Sequence, residues 1–176
     1  VLLKNENQLL PLDTKSLKSI AIIGPNADQV QFGDYTWSRN NKDGVTPLQG
    51  IKNRVNKNTA IHYAKGCSLT SLDTSGIAEA VEAAKNSEVA VIFGGSASAA
   101  LARDYKSSTC GEGFDLNDLN LTGAQSQLIR EVYRTGTPVI LVLVTGKPFV
   151  IEWEKNNLPA ILVQWYAGEQ AGNSIA

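Results

Sequence analysis

Five short apolar runs punctuate the chain: Ser19–Gly24 (SIAIIG), Ala60–Gly66, Glu88–Gly95 (EVAVIFGG), Pro138–Thr145 (PVILVLVT) and Pro159–Trp165 (PAILVQW). They are rich in Val and Ile, and several are apolar on both faces. A strand with one wet face alternates apolar and polar residues, so an unbroken apolar run fits a strand buried between two layers. Between the runs, Ser75–Ser87 sets Ile77, Ala80, Val81 and Ala84 at helical spacing, and Thr122–Thr135 does the same with Leu128, Ile129 and Val132. Ser and Thr residues at the start of each are the expected caps, and Thr46-Pro47-Leu48 opens a further helix with Pro in its first turn. This alternation predicts an α/β fold: a three-layer α/β/α sandwich over residues 18–176, with a mostly parallel sheet of about five to six strands. Residues 1–17, beginning VLLKNENQLLPL, read as a lead-in that packs on the domain or joins it to something earlier.

Composition removes several classes of function. With 43% hydrophobic and 19% charged residues in 176, the chain has the apolar content that disordered chains lack. A net charge of -1 with scattered basic residues argues against a nucleic-acid partner, and no apolar run reaches the roughly 18 residues of a membrane span. The chain starts at Val1 rather than Met, and Ser174-Ile175-Ala176 reads as the opening of a helix, so a piece of a longer protein is expected. Two cysteines, Cys67 and Cys110, are too few for a zinc framework, and whether they pair is left open. No metal or cofactor is expected. The single histidine, His62, lies in the alternating run Thr59–Ala64 and reads as a strand-face residue rather than a catalytic one.

Parallel sheets of this kind gather ligands at the carboxyl ends of their strands. The loops there are Gly24–Lys42, Ser96–Asn120, Thr145–Lys147 and Trp165–Gly168, and the first two exceed the roughly 12–15 residues beyond which structureless loops tend to be functional. The glycines of Gly24-Pro25-Asn26-Ala27 and Gly94-Gly95-Ser96 fit neither dinucleotide nor P-loop spacing and read as tight turns, which leaves a nucleotide-binding module as a third-ranked reading. The first loop carries Phe32, Tyr35, Trp37 and Arg39. Two readings stand side by side: a sugar-stacking wall with a polar contact, or a Trp37 that caps the core beside a solvated Arg39. The second loop holds Ala102-Arg103-Asp104-Tyr105 and then SSTCGEGFDLND, with Glu112 between two glycines. Glycosidases need two carboxylates about 5–5.5 Å apart in retaining enzymes, approaching from different sides. Glu112 and Asp115, three residues apart on one loop, do not suit that pair; Glu112 with a partner from elsewhere does, and so does an ordinary exposed loop glutamate.

Five ordered segments then resemble a known family: VLLKNENQLLPL, IAIIGPNAD, GEGFDLNDLNLTGAQSQLI, PVILVLVTGKPF and ILVQWYAGEQAGNSIA. Over essentially the whole chain they are similar to the second domain of glycoside hydrolase family 3, the β-glucosidases, β-xylosidases and related exo-acting enzymes. The resemblance implies a retaining mechanism in which an N-terminal barrel domain of the same protein carries the aspartate nucleophile and this domain supplies the acid/base glutamate. The family's E-G-[FY]-D motif falls on Glu112. Leu116 stands where relatives commonly have Arg. The resemblance further implies Trp37, Arg39 and Arg103 as sugar contacts, an oligosaccharide or aryl β-glycoside substrate, no cofactor, and a periplasmic or secreted setting. On this reading the chain alone is inactive, and Glu112 is exposed on a poorly ordered or displaced loop. The rival is a non-catalytic carbohydrate-binding or scaffold domain.

Overall fold

A computed structural model of the chain describes residues 1–38, 41–98 and 109–176. The five apolar runs form strands β2 (Ser19–Ile23), β3 (Ala60–Ala64), β4 (Val89–Gly95), β5 (Val139–Val144) and β6 (Ala160–Val163). A sixth strand, β1 (Leu2–Asn5), comes from the segment read as a lead-in. The sheet order is β1-β6-β5-β4-β2-β3. Only the β1–β6 pair is antiparallel; the other neighbours run parallel. The helices are α1 (Pro47–Arg54), α2 (Ile77–Lys85), α3 (Gln125–Tyr133), α4 (Glu152–Asn157) and α5 (Ala171–Ile175).

Each central strand buries both faces, as its composition requires. Ala21, Ile23, Ala90, Ile92, Leu141 and Leu143 meet Ala80 and Ala84 of α2 and Leu128, Ile129 and Val132 of α3 on one side. The alternate residues Ile20, Ile22, Val91, Phe93, Ile140 and Val142 meet Leu48 and Ile51 of α1 on the other, with Leu9, Leu10 and Ile175 packed against them. The result is the expected three layers. His62 lies on β3, half-buried, and Cys67 and Cys110 are free thiols.

Helix starts follow the sequence at one place and depart from it at two. Thr46 caps α1, its Oγ1 accepting from Gln49 N at 3.1 Å with Pro47 at the first position. At α2 and α3 the capping positions are Gly76 and Ala124, with no side-chain cap. Ser75 and Thr122 bond elsewhere: Ser75 Oγ donates to Asp73, and Thr122 Oγ1 donates to the Leu69 carbonyl at 2.7 Å. The Ser75 hydroxyl closes a local turn and that of Thr122 fastens a distant loop, and neither serves its helix end.

Candidate active site

Chain direction changes between β2 and β4. From β2 the chain crosses one face through α1 to β3; from β3 it crosses the other face through α2 to β4 and continues away through α3 to β5. Loops leaving β2 and β4 therefore diverge, and a crevice opens between them at the carboxyl ends, the usual ligand position in such sheets. An open cleft of about 860 Å³ lies there, with walls from all four carboxyl-end loops: Asp34 and Tyr35, the Cys110–Asp115 turn, Lys147, and Tyr166.

Buried polar side chains hold the two long loops to the strand ends. Asn26 Nδ2 donates to Ser96 O at 3.2 Å and its Oδ1 accepts from Gln31 Nε2 at 2.7 Å, tying the first loop to the end of β4. Gln125, reaching from α3, takes the Gly95 amide on Oε1 at 2.8 Å and returns Nε2 to Gly95 O at 3.0 Å. Ala97 and Thr109 exchange hydrogen bonds, and Ser98 bridges Cys110, so the second loop is pinned where it leaves and rejoins the sheet. Beneath the cleft, Tyr166 Oη meets Ser96 Oγ at 2.7 Å and lies against the Cys110 thiol. Burial, and after it Cys110, pushes the Tyr166 phenol well above its ordinary range. Lys147, only 7% exposed, gives Nζ to Asp118 O at 3.1 Å and lies over the Phe149 ring.

At the cleft's rim, Gly111–Phe114 forms a tight turn closed by Phe114 N donating to Gly111 O at 3.1 Å. Glu112 and Gly113 are its corner residues, and Gly113 has φ +69°, a conformation glycine adopts without the cost of a Cβ. This geometry accounts for the Glu-Gly pair: the turn pushes the glutamate side chain out at its first corner. Glu112 is exposed, as expected, yet its backbone is not loose, because Glu112 N donates to Asp34 Oδ2 while Asp34 Oδ1 accepts from Ser98 Oγ. The nearby Glu112 carboxylate is the main cause of a Tyr35 phenol pKa above its ordinary value.

Of the residues singled out in the sequence, Glu112 lies in the cleft wall. Trp37 does not line it: the ring is fully exposed, at 102%, so it does not cap the core either. Tyr35 is the first-loop aromatic that faces the cleft. Arg39 and Arg103 lie outside the described residues. In the sequence Tyr35 reads only as one aromatic of the first loop, and Asp34, Lys147 and Tyr166 were missed; their spacing carried no signal, since they converge only across loops far apart in sequence. The strand-end glycines do not build a phosphate cradle. A Cβ at Gly24 would sit 2.3 Å from Phe93 O, and one at Gly95 2.2 Å from Val144 O, so both serve close backbone approach. Among the described residues no His, Cys, Asp and Glu group is arranged to hold a metal, and no helix is long and apolar enough to cross a membrane.

The chain is similar to known proteins in sequence and fold. A β-xylosidase of Formosa agariphila is 41% identical over all of the chain, which covers 24% of that protein. A periplasmic β-glucosidase of Salmonella typhimurium is 36% identical, with all of this chain and again 24% of its own length matched. The solved structure of a β-glucosidase from Erythrobacter marinus superposes with a TM-score of 0.83 at 31% identity, covering the whole chain and 26% of that structure. The chain thus spans about a quarter of the length of the curated relatives it matches. Residues 1–176 match the description "Glycosyl hydrolase family 3 C-terminal domain" from end to end, and the chain belongs to that family.

Proposed function

We propose that this chain is the acid/base half of a retaining, exo-acting β-glycosidase that removes terminal β-linked glucose or xylose. The observation that carries the reading is Glu112: a carboxylate set out on a tethered turn at the sheet's switch point, bordering an open cleft. Glu112 protonates the glycosidic oxygen as the bond breaks, then takes a proton from the water that releases the sugar. The nucleophile is an aspartate on a barrel domain of the same protein, facing the cleft so that the two carboxyl groups stand about 5–5.5 Å apart. Support comes from relatives named β-xylosidase and β-glucosidase. The exposed Trp37 ring would wall the sugar site once the barrel is in place, with Arg39 and Arg103 as further contacts taken from the family resemblance. A periplasmic or secreted setting is proposed from the Salmonella relative's name.

The test is Glu112→Ala in the full-length protein. Turnover of substrates with poor leaving groups should fall by about 10²- to 10⁴-fold, the usual contribution of a general acid. Activated aryl glycosides should lose much less, and azide should restore turnover by attacking the glycosyl intermediate. Equal losses on both substrate types without azide rescue would favour the non-catalytic binding or scaffold domain.

A further inference from the structure

We propose that Asp34 is the positioning residue for the acid/base glutamate, its carboxylate holding the Glu112 turn in register with the end of β4. The inference rests on the acid/base reading of Glu112. The turn has little of its own to orient it. One internal hydrogen bond closes it, Glu112 is exposed, and the space beside Gly113 is open, with nothing within 4 Å of where a Cβ would stand. The link at the Glu112 amide fixes the backbone from which the carboxylate projects.

Asp34 makes that link with one oxygen and fixes itself with the other. Oδ2 accepts from Glu112 N, Oδ1 accepts from Ser98 Oγ, and Ser98 in turn bridges Cys110. The ring Asp34–Glu112–Cys110–Ser98 joins the loops leaving β2 and β4. An ionised carboxylate suits this place because both of its oxygens only accept, whereas an amide offers one accepting atom. The next residue, Tyr35, lines the same cleft wall as Glu112, so one short segment borders both the backbone and the side chain of the proton donor. A misplacement of about 1 Å costs on the order of 10²-fold in rate.

The experiment measures kcat/KM of full-length Asp34→Ala, Asp34→Asn and Glu112→Ala on aryl β-glycosides of graded leaving-group pKa. Asp34→Ala should lose about 10²-fold on the poorest leaving groups and no more than about threefold on a dinitrophenyl glycoside. Asp34→Asn, which keeps one acceptor, should fall between Asp34→Ala and the parent. Ser98→Ala should show the same pattern more weakly, and the two milder variants carry the test if Asp34→Ala fails to fold. A loss shared equally by all leaving groups, or no loss, overturns the proposal. If Glu112→Ala shows leaving-group dependence and the Asp34 variants do not, the tether alone is wrong. If Glu112→Ala shows none, the acid/base reading falls and takes the tether's role with it.

Discussion

Burial pushes the Cys67 thiol from an ordinary 9.0 up to about 11, with Lys65 opposing. The folded state therefore keeps this proton to higher pH than the unfolded chain does. The stability it contributes is fully present below about pH 9 and is lost as pH climbs towards 11. Tyr166, raised from 10.0 by burial, adds the same sign of effect above pH 10. The thermal midpoint is thus expected to decline from about pH 9 upward. Cys67→Ala should lower stability near neutral pH by about 1–2 kcal/mol through the cavity it leaves, yet show a shallower decline between pH 9 and 10. Melting curves over that range decide it; a slope equal to the parent's would assign the decline to other groups. Glu112 shows how far a single residue could be read from sequence. Its type and flanking glycines left a plain loop glutamate open, and the family motif chose between the readings. Asp34 gave no such sign, because its partner stands 78 positions away along the chain.

Elements were legible where their packing is two-sided. The runs of β2, β4 and β5 have apolar residues on both faces because helices cover both, and that pattern cannot be mistaken for a wet strand. The strand β1 escaped because it is four residues long at the sheet edge, with Leu2 and Leu3 exposed, so it shows neither alternation nor a buried run. The misplaced caps at α2 and α3 have different causes: Ser75 spends its hydroxyl on a local turn with Asp73, whereas Thr122 bonds the Leu69 carbonyl, which only the folded chain brings near. The crossing of α1 and α5 was not legible at all. Its closeness shows in what a methyl group would meet: a Cβ at Gly50 would stand 2.1 Å from Gly172 O, and one at Gly172 would stand 2.1 Å from Thr46 O. Replacing a helix-interior Gly by Ala ordinarily stabilises by about 1 kcal/mol. Here the overlap reverses the sign, and Gly50→Ala is expected to destabilise by about 1–3 kcal/mol, the cost of forcing helices apart. Urea unfolding would measure it; a stabilised variant would mean that α5 moves freely away from α1.

At the scale of the whole molecule, the proposed function gives this domain one carboxylate of a catalytic pair. The switch point gives two divergent loops, and these build a cleft wall and a tether rather than a two-sided site. The other carboxylates there are already engaged. Asp34 has both oxygens occupied by Glu112 N and Ser98 Oγ, and Asp115 turns Oδ1 back to its own neighbour's amide, Leu116 N, at 2.8 Å. A retaining mechanism needs a second carboxylate across the anomeric carbon from the first, and the proposed function takes it from another domain of the same protein. The 176-residue chain by itself should therefore release no nitrophenol from nitrophenyl β-xyloside or β-glucoside, even at high enzyme concentration. Supplying the proposed barrel domain as a separate polypeptide should restore turnover, saturating with added barrel, and Glu112→Ala in this chain should remove most of the restored rate on a poor leaving group. Turnover by the chain alone that disappears with Glu112→Ala would place both carboxylates on this domain and reverse the division of labour that the family resemblance implies.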